Sequence, residues 1–370
     1  MPDSLGGVGR YIVSLVREVA SRGVVDLVVV VSPGAEAELL RAAPGARIVA
    51  APALTSSTLG RFVWEQTGLP RLADRLGADV IHSPHYTMPL ATRRARVVTL
   101  HDATFFSSPE WHIPSKARFF RTWTRLTARL ADTVVTPSRA TAEGVREALG
   151  RPLRRVVVAP LGVDGEIFHP PTATDRQSLA EAVPDLPAAW IAFLGTLEPR
   201  KNTAALIRAA RRVARERRAA GLSAPALLLA GAPGWDATVD DAVRDAADDL
   251  DVRLLGYLPL EALAAFLGDA DCVAYPSLGE GFGLPVLEAM SCAAVVVTTT
   301  RLSLPEVGGD CVLYSDVDDA SLAATLVTAL SPASDDLRPR ARERAETFDW
   351  ASCAEAHERA WTGAATRGHR

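Results

Sequence analysis

The sequence of 370 residues is poor in cysteine, has no long hydrophobic run and carries no excess of positive charge. The apolar runs at residues 27–31 and 293–297 are far shorter than the roughly 18 residues that span a bilayer. With 40 basic and 44 acidic side chains, the formal net charge is −4, which argues against a general nucleic-acid binder. The four cysteines show neither zinc-site nor C-x-x-C spacing: Cys272, Cys292, Cys311 and Cys353. These absences, and an N-terminus without the pattern of a secretion signal, predict a cytoplasmic protein with reduced, structural cysteines.

Short runs rich in valine and isoleucine alternate with longer segments of helical period along the chain. The predicted strands are residues 24–31, 79–82, 97–100, 133–137, 156–159, 190–195, 226–230, 252–255, 272–276 and 295–299. Such alternation is typical of βαβ units on parallel sheets, whose strands are buried on both faces. The segment 161–177 is rich in proline and glycine and suits a linker. We therefore predict an α/β protein with two doubly wound domains, residues 1–168 and 169–348, and a C-terminal helix over residues 349–370.

The glycine-rich turn that opens the chain should follow a strand, yet only five residues precede Gly6. A missing central strand would leave buried backbone groups of its neighbours unpaired, at roughly 1–3 kcal/mol each. We therefore expect either that the recorded start at Met1 lies about ten residues too late, or that the chain as given is poorly soluble. The coding sequence just upstream should then encode a short strand rich in valine or isoleucine.

The strongest motif combines a strand end, a glycine-rich loop and a helix that opens at Leu284. Pro285 fits the first helical turn, and the amides of Gly283 and Leu284 then lie where a helix N-terminus binds phosphate. Glu280 and Glu288 flank this anion site. Because carboxylates repel phosphate, we interpret them as acceptors for sugar hydroxyl groups, although solvated surface charges are the alternative. A phosphate site between two residues that bind sugar hydroxyl groups is the arrangement expected for a site that binds a nucleotide sugar.

With these motifs the sequence resembles the retaining nucleotide-sugar glycosyltransferases of family 4, which have the GT-B fold. The resemblance covers nearly the whole chain and is carried by residues 6–11, 101–102, 136–138, 159–164, 195–202, 280–288 and 303–306. It implies two Rossmann-like domains that face each other across a cleft, and a C-terminal helix that crosses back to the N-terminal domain. It also implies transfer of a hexose from a nucleoside-diphosphate sugar to an acceptor hydroxyl with retention, and no metal or other cofactor.

The resemblance assigns site residues in both domains. The implied catalytic residues are His101, Lys201 and Glu280, and the implied donor-binding residues are Gly7, Gly9, Arg200, Lys201, Glu280, Gly283, Leu284 and Glu288. Glu288 is expected on the ribose hydroxyls and Glu280 near the transferred sugar. Lys201 is expected on the diphosphate, where a compact cation suits a leaving group that gains charge.

Three of these residues have simpler alternatives. Arg200 and Lys201 could be an exposed basic pair in a loop. His101 follows a predicted strand, and catalytic groups of open α/β sheets lie at such strand ends. A histidine that only caps the strand end through a structural hydrogen bond would fit the same position. We assign it no role as a general base, because the sequence fixes no partner for it.

Two features depart from the family pattern. Thr196 stands where many members carry arginine, which leaves more of the phosphate charge to Lys201. Residues 293–295 replace the usual glycine and proline, so we expect a less tightly turned loop there.

Asp269 and Asp271 form a D-x-D sequence, which holds a divalent metal in another glycosyltransferase fold. Here it precedes a predicted strand instead of following one, which is the wrong end of the sheet for a ligand. We interpret it as a helix end.

Residues 111–130 predict an amphipathic helix with a basic stripe at Arg118, Arg121, Arg125 and Arg129 beside an apolar stripe. Such a helix either packs its apolar side into the core or contacts the inner face of the cell membrane. Membrane contact would suit a lipid-linked acceptor.

The resemblance therefore implies a hexosyltransferase of polysaccharide or glycolipid assembly with a glycan or lipid-linked acceptor, and GDP-mannose is the preferred donor because residues 198–202 resemble the corresponding loop of mannosyltransferases. UDP-glucose or another nucleotide sugar is a close alternative donor. The rival functions are a GT-B scaffold or glycan-binding protein without catalysis, and a nicotinamide-dependent oxidoreductase. The oxidoreductase requires G-x-G-x-x-G after a strand, and the turn at residues 6–11 does not supply it.

Overall fold

A computed structural model describes residues 6–368 of the chain, and the chain divides into two compact units. Unit 1 comprises residues 1–162 and 349–370, and unit 2 comprises residues 163–348. The first division falls inside the proline- and glycine-rich segment 161–177. The strand expected ahead of Gly6 lies outside the described residues.

Unit 1 alternates helices with parallel strands. Its helices are α1 (Gly7–Arg22), α2 (Glu36–Ala42), α3 (Thr58–Leu76), α4 (Thr104–Ser107), α5 (Pro114–Leu130) and α6 (Arg139–Leu149). Its strands are β1 (Val28–Val31), β2 (Arg47–Ala50), β3 (Val80–Ser83), β4 (Ala95–Thr99), β5 (Thr133–Thr136) and β6 (Val156–Val158). They form a two-stranded sheet, β1-β2, and a four-stranded sheet in the order β3-β4-β5-β6.

Each sheet of unit 1 has its own hydrophobic cluster. Beside β1 and β2, Val16 and Leu39 pack α1 against α2. Beside the larger sheet, Val98 and Val134 pack against Trp123 of α5. Strand β5 of this larger sheet is a fully buried run of β-branched residues, the pattern that burial on both faces favours.

Unit 2 repeats the alternation on a single parallel sheet. Its helices are α7 (Ala173–Ala182), α8 (Thr203–Ala219), α9 (Thr238–Ala246), α10 (Leu260–Gly268), α11 (Leu284–Ser291), α12 (Leu304–Gly308), α13 (Asp319–Ala329) and α14 (Leu337–Ala345). Its strands are β7 (Trp190–Leu194), β8 (Ala226–Ala230), β9 (Val252–Gly256), β10 (Cys272–Tyr275), β11 (Val296–Thr299) and β12 (Leu313–Ser315). The strand order is β12-β11-β10-β7-β8-β9, so the direction of winding reverses between β7 and β10. In open α/β sheets, ligands bind outside the carboxyl ends of the strands at such a switch point.

The last helix, α15 (Trp350–Gly368), belongs to unit 1 and packs against α1 and strands β3 to β6. Asp349 caps it by accepting the amide of Ser352 at 2.6 Å. Arg22 near the end of α1 pairs with Glu355 and Glu358 of α15, at 3.2 Å in each case. No helix within residues 6–368 combines the length and apolarity that crossing a bilayer needs.

The loop at residues 293–295 corrects one expectation. Ala293 adopts φ 57°, so the turn expected to loosen without glycine instead holds an alanine in the left-handed region. Its amide bonds to the carbonyl of Met290 at 3.0 Å, which closes the C-terminus of α11.

Candidate active site

The candidate site of unit 2 lies at the carboxyl ends of the neighbouring strands β7 and β10. After β7 the chain makes a short 3₁₀ turn, Pro199–Lys201, and then enters α8 through Asn202. After β10 a loop carries Glu280, and α11 follows. The switch point of the sheet therefore brings together the basic pair and the glutamate that lie about 80 residues apart in sequence.

The carboxylate of Glu280 is surrounded by protein donors. Its Oε1 accepts hydrogen bonds from Lys201 Nζ at 2.6 Å, Ser277 Oγ at 2.7 Å and the Tyr275 hydroxyl at 2.9 Å. Its Oε2 accepts one from Arg200 at 2.5 Å. Burial alone would raise the pKa of Glu280, but the charges of Arg200 and Lys201 outweigh it and hold that pKa well below its usual range. Glu280 is therefore an anion that neutralises the basic pair.

Lys201 is buried, with 6% of its surface exposed. Its ammonium group donates to Glu280 and to the hydroxyl of Tyr275, and lies 4.7 Å from the centre of the Tyr275 ring. Burial and the charge of Arg200 lower the pKa of Lys201 to about 8, against the opposing effect of Glu280. The side chain is therefore a cation at neutral pH.

Arg200 ties the two loops of the site together. Its guanidinium donates to Glu198 at 2.8 Å, on its own loop, and to Glu280 across the switch point. Two cations, Arg200 and Lys201, thus face two anions, Glu198 and Glu280. Both basic residues are partners in this network, which excludes the reading of an exposed basic pair.

The loop after β10 ends at Gly283, whose φ of 110° requires glycine. A side chain there would also meet Leu304 at 2.9 Å. Leu284 and Pro285 form the first turn of α11, and one turn further Glu288 is buried with 3% exposure. The first turn of a helix leaves its amides without carbonyl partners in that helix, which makes it a place for an anion. Ser303 fixes this loop by donating to the carbonyls of Glu280 and Phe282, at 2.7 and 2.8 Å.

Four residues in this network had no role assigned from the sequence: Glu198, Tyr275, Ser277 and Ser303. Glu198 and Ser303 lie inside segments that carry the family resemblance, and Tyr275 and Ser277 lie in the strand end and loop that precede Glu280. Sequence position signals that they are near the site, but only the folded arrangement shows which atoms they contact.

The remaining predicted residues lie in unit 1. His101 follows β4, and its Nε2 lies 2.8 Å from the carbonyl oxygen of Pro84. A carbonyl only accepts, so Nε2 carries the proton and Nδ1 of the neutral ring is the acceptor. Burial lowers the pKa of His101, which keeps the ring neutral at pH 7. The ring of His85, which follows β3, lies 5.7 Å away.

The backbone beside His101 is strained. Tyr86 adopts φ 55°, an unusual conformation for a bulky side chain. Its hydroxyl bonds to both the amide and the carbonyl of Asp102, at 2.9 and 3.1 Å, which locks the segment after β3 to the segment after β4. Gly7 and Gly9 lie in the first turn of α1 and are at least partly exposed.

The D-x-D sequence lies away from the site. Asp269 caps the C-terminus of α10 and accepts two hydrogen bonds from Arg176, at 2.8 and 2.9 Å. Asp271 precedes β10, at the opposite end of that strand from Glu280. Within residues 6–368, no three His, Cys, Asp or Glu side chains come together as metal ligands. The four cysteines are free and buried.

Comparison with known proteins identifies relatives along both units. The family model described as Glycosyltransferase Family 4 matches residues 5–166, and that described as Glycosyl transferases group 1 matches residues 188–332. The O-antigen chain mannosyltransferase B of Escherichia coli is 31% identical over 74% of this chain and 71% of its own length. The D-inositol 3-phosphate glycosyltransferase of Corynebacterium efficiens is 30% identical over 94% of this chain and 88% of its own.

Solved structures of similar fold cover nearly the whole chain. HepE of Anabaena, in complex with UDP and glucose, aligns with a TM-score of 0.72 over 96% of both chains, at 19% identity. WaaG, a glycosyltransferase involved in lipopolysaccharide biosynthesis, aligns with a TM-score of 0.71 over 97% of both chains, at 16% identity. At these identities the similarity establishes the fold.

Proposed function

Because this chain belongs to glycosyltransferase family 4, we propose that it transfers a hexose from a nucleoside-diphosphate sugar to an acceptor hydroxyl with retention at the anomeric carbon. The preferred donor is GDP-mannose, in keeping with the resemblance of the loop before Lys201 to mannosyltransferases and with the mannosyltransferase relative. The acceptor is a glycan or a lipid-linked sugar of polysaccharide or glycolipid assembly.

The observation that carries the proposal is the buried charge network at the switch point of unit 2. When the bond between sugar and diphosphate breaks, the diphosphate gains negative charge. Lys201, protonated at neutral pH, and the amides at the start of α11 stabilise that charge without reorganising. Glu288 holds the ribose hydroxyls, and Glu280 holds the ammonium of Lys201 in place next to the sugar.

In unit 1 we assign His101 to the transferred sugar. Its Nε2 donates its proton to the carbonyl oxygen of Pro84, which leaves Nδ1 to accept a hydrogen bond from a sugar hydroxyl. A neutral imidazole in a fixed orientation suits a positioning role.

A thermal-shift panel tests the nucleotide class. A ligand at one hundred times its Kd raises the stability of the folded protein by about 2.7 kcal/mol. We expect GDP, GDP-mannose or another nucleoside-diphosphate sugar to raise the melting temperature. Protection by NAD alone would support the oxidoreductase, and protection by no nucleotide would support the scaffold protein.

A transfer assay with the protecting donor then tests the reaction. Proton NMR of the product reports the anomeric configuration, which we expect to match that of the donor. An inverted product would refute retention while leaving the glycosyltransferase activity intact.

We also propose a cytoplasmic location with peripheral binding to the anionic inner face of the membrane through α5. The apolar side of α5 packs into unit 1 through Trp123 and Ala117, while Arg118, Arg125 and Arg129 are exposed. Exposed apolar side chains lie beside this basic face: Ile113 and Phe119 of the α5 segment, and Leu59 and Val63 of α3, whose neighbour Phe62 meets the Phe119 ring at 6.2 Å. Each arginine near an anionic lipid surface contributes roughly 1 kcal/mol to the free energy of membrane binding.

Co-sedimentation with vesicles tests the membrane proposal. We expect binding to vesicles that contain phosphatidylglycerol, and its loss when Arg118, Arg125 and Arg129 are changed together to glutamate. Neutral vesicles and the Arg212→Glu variant, at an exposed position of α8, are the controls. Equal binding to neutral and anionic vesicles would contradict it.

A further inference from the structure

Tyr275 is the last residue of β10, and its side chain is 1% exposed. Its ring stacks on Phe193 of β7, with centroids 5.9 Å apart and an interplanar angle of 21°. Its backbone carbonyl accepts the hydroxyl of Thr298 at 2.9 Å. These contacts hold the ring against β7 and the backbone against β11, so the position of the hydroxyl group is determined by the sheet.

The hydroxyl of Tyr275 closes a triangle of polar atoms. It donates its one proton to Glu280 Oε1 at 2.9 Å and accepts a hydrogen bond from Lys201 Nζ. Lys201 Nζ in turn donates to the same Oε1 at 2.6 Å. Each of the three groups therefore bonds to both others, which defines the direction of the ammonium group and not only its position.

An ammonium group has three N–H donors. Within residues 6–368 only the Tyr275 hydroxyl and Glu280 Oε1 accept hydrogen bonds from Lys201. One N–H remains, and its direction is set once the other two are fixed.

We propose that Tyr275 is a positioning residue for the transfer reaction: its hydroxyl holds the ammonium of Lys201 so that the remaining N–H meets an oxygen of the donor diphosphate. This inference rests on the proposed function. Tyr275 itself contacts neither donor nor acceptor in this account and acts through Lys201.

The hydroxyl also affects the charge of Lys201. A hydroxyl oxygen that accepts from an ammonium favours its protonated form, so loss of the hydroxyl lowers the pKa of Lys201 further below about 8. The other charged groups that face Lys201 are Arg200, Glu198 and Glu280, and the substitution leaves all three in place.

The test is the Tyr275→Phe variant, which keeps the ring and removes only the hydroxyl. We expect the alkaline limb of the pH profile of kcat/KM, and of nucleoside-diphosphate binding by calorimetry, to move to lower pH by about 0.5–1 unit. At pH 8.5 this corresponds to a loss of roughly three- to eightfold, and at pH 6.5 to little change.

Two matched variants separate the possible causes. Tyr314→Phe removes a tyrosine hydroxyl elsewhere in unit 2, one that donates to the carbonyl of Gly309 at 2.8 Å, and should keep the wild-type profile. Ser277→Ala removes another donor to Glu280 Oε1 but no acceptor of Lys201. It should lower activity without moving the alkaline half-point, the pH at which kcat/KM has fallen to half its maximum on the alkaline limb.

The outcomes are distinguishable from those of the proposed function. If the wild-type protein binds no nucleoside diphosphate, the proposed function fails. If it binds one and Tyr275→Phe, folded and stable, has the same alkaline half-point as Tyr314→Phe, the positioning role is wrong. Should Tyr275→Phe not fold, 4-fluorophenylalanine at position 275 fills the space of the hydroxyl with a poor acceptor that cannot ionise, and the same downward shift is required.

Discussion

The hydroxyl of Tyr11 in α1 lies 2.9 Å from Nε2 of His357 in α15, 346 residues further along the chain. The bond has a fixed direction, because Nδ1 of His357 lies 2.8 Å from the carbonyl of Cys353 and must carry the ring proton. Tyr11 therefore donates to His357, accepts from Thr99 at 2.9 Å, and Thr99 accepts from His82 at 2.9 Å. A buried, directed chain of hydrogen bonds thus joins the two ends of unit 1 to β3 and β4.

The stability of unit 1 should fall in acid, because this chain of hydrogen bonds needs a neutral His357 whose Nε2 accepts the proton of Tyr11. Burial lowers the pKa of His357 to about 4, whereas an unfolded histidine titrates near 6.5. The unfolded state therefore takes up the proton first, and stability is lost as the pH falls from about 6.5 to about 4. We expect this residue alone to cost about 2 kcal/mol between pH 7 and pH 5.

Urea unfolding of the His357→Gln variant at pH 7 and at about pH 5 measures the contribution of His357 to this loss of stability. Glutamine keeps an acceptor for Tyr11 but does not titrate, so the loss of stability in acid should shrink by about 2 kcal/mol. The control is Tyr314→Phe in unit 2, which removes a hydrogen-bonding side chain that does not titrate between pH 5 and pH 7 and should retain the wild-type loss. An unchanged loss in His357→Gln would contradict the neutral ring.

Arg338 of α14 should contribute more to stability than any ion pair on the surface of that helix. Its guanidinium donates to the carbonyls of Gly268 and Ala293 at 3.2 Å, and to those of Ala270 and Asp271 at 3.2 and 3.4 Å. Arg338→Met keeps the aliphatic stem but leaves these carbonyls without that donor, which should lower the free energy of unfolding by about 2–4 kcal/mol. Arg342→Met, which removes an exposed pair with Glu346, should cost under about 0.5 kcal/mol. Equal losses in the two variants would show that the four carbonyls need no protein donor.

The strands that could be predicted from the sequence are those with continuous apolar runs, because burial on both faces removes their polar positions. The two that were missed, β2 and β12, are short edge strands with partly exposed residues. The predicted strand at residues 24–31 was too long, because the left-handed Gly23 ends α1 and pairing with β2 begins only at Val28. The edge strands β1, β3, β6 and β9 were predicted, so the hydrophobic pattern fails only at short strands with few consecutive buried residues and not at every sheet edge.

The same distinction holds at the candidate site. Glycine, proline and glutamate spacing in one continuous segment predicted the loop and helix that carry Gly283 and Leu284, because that geometry is local. The contacts of Tyr275 with Lys201 could not be predicted in this way, since Lys201 lies in the turn after β7 and Tyr275 at the end of β10. The sequence shows that Lys201 follows one predicted strand and that Tyr275 lies in another. Only the strand order of the folded sheet shows that these two strands are neighbours.

Asp269→Asn should leave transfer unchanged, with or without added magnesium. Asp269 lies at the opposite end of β10 from Glu280, and its two oxygens bind Arg176 in an exposed pair. Such pairs contribute about 0–1 kcal/mol, so only a small loss of stability is expected. Asp319→Asn, which breaks a similar pair with Arg208, is the control for both activity and unfolding. Metal-dependent transfer that this substitution abolishes would overturn the assignment of Asp269 to a helix end.

Glu288 and Glu280 should affect nucleotide binding in opposite ways. If Glu288 binds the ribose hydroxyls, Glu288→Gln removes charge-assisted hydrogen bonds to donor and free nucleotide alike, and both affinities should fall by roughly tenfold. Glu280 instead neutralises Lys201 and Arg200. In Glu280→Gln these cations lose a counter-ion, so the free protein should be destabilised by several kcal/mol, on the order of 3–5.

A bound diphosphate supplies the charge that Glu280→Gln removes. We therefore expect this variant to bind the free nucleoside diphosphate as tightly as the wild type or more tightly, and to gain more melting temperature from it, while transfer falls because Lys201 is no longer held beside the sugar. Calorimetry with GDP and UDP, with transfer measured in parallel, separates the two glutamates. An equal loss of nucleotide affinity in both variants would contradict this division of roles, because it would mean that the carboxylate of Glu280 attracts the donor more than it balances the basic pair.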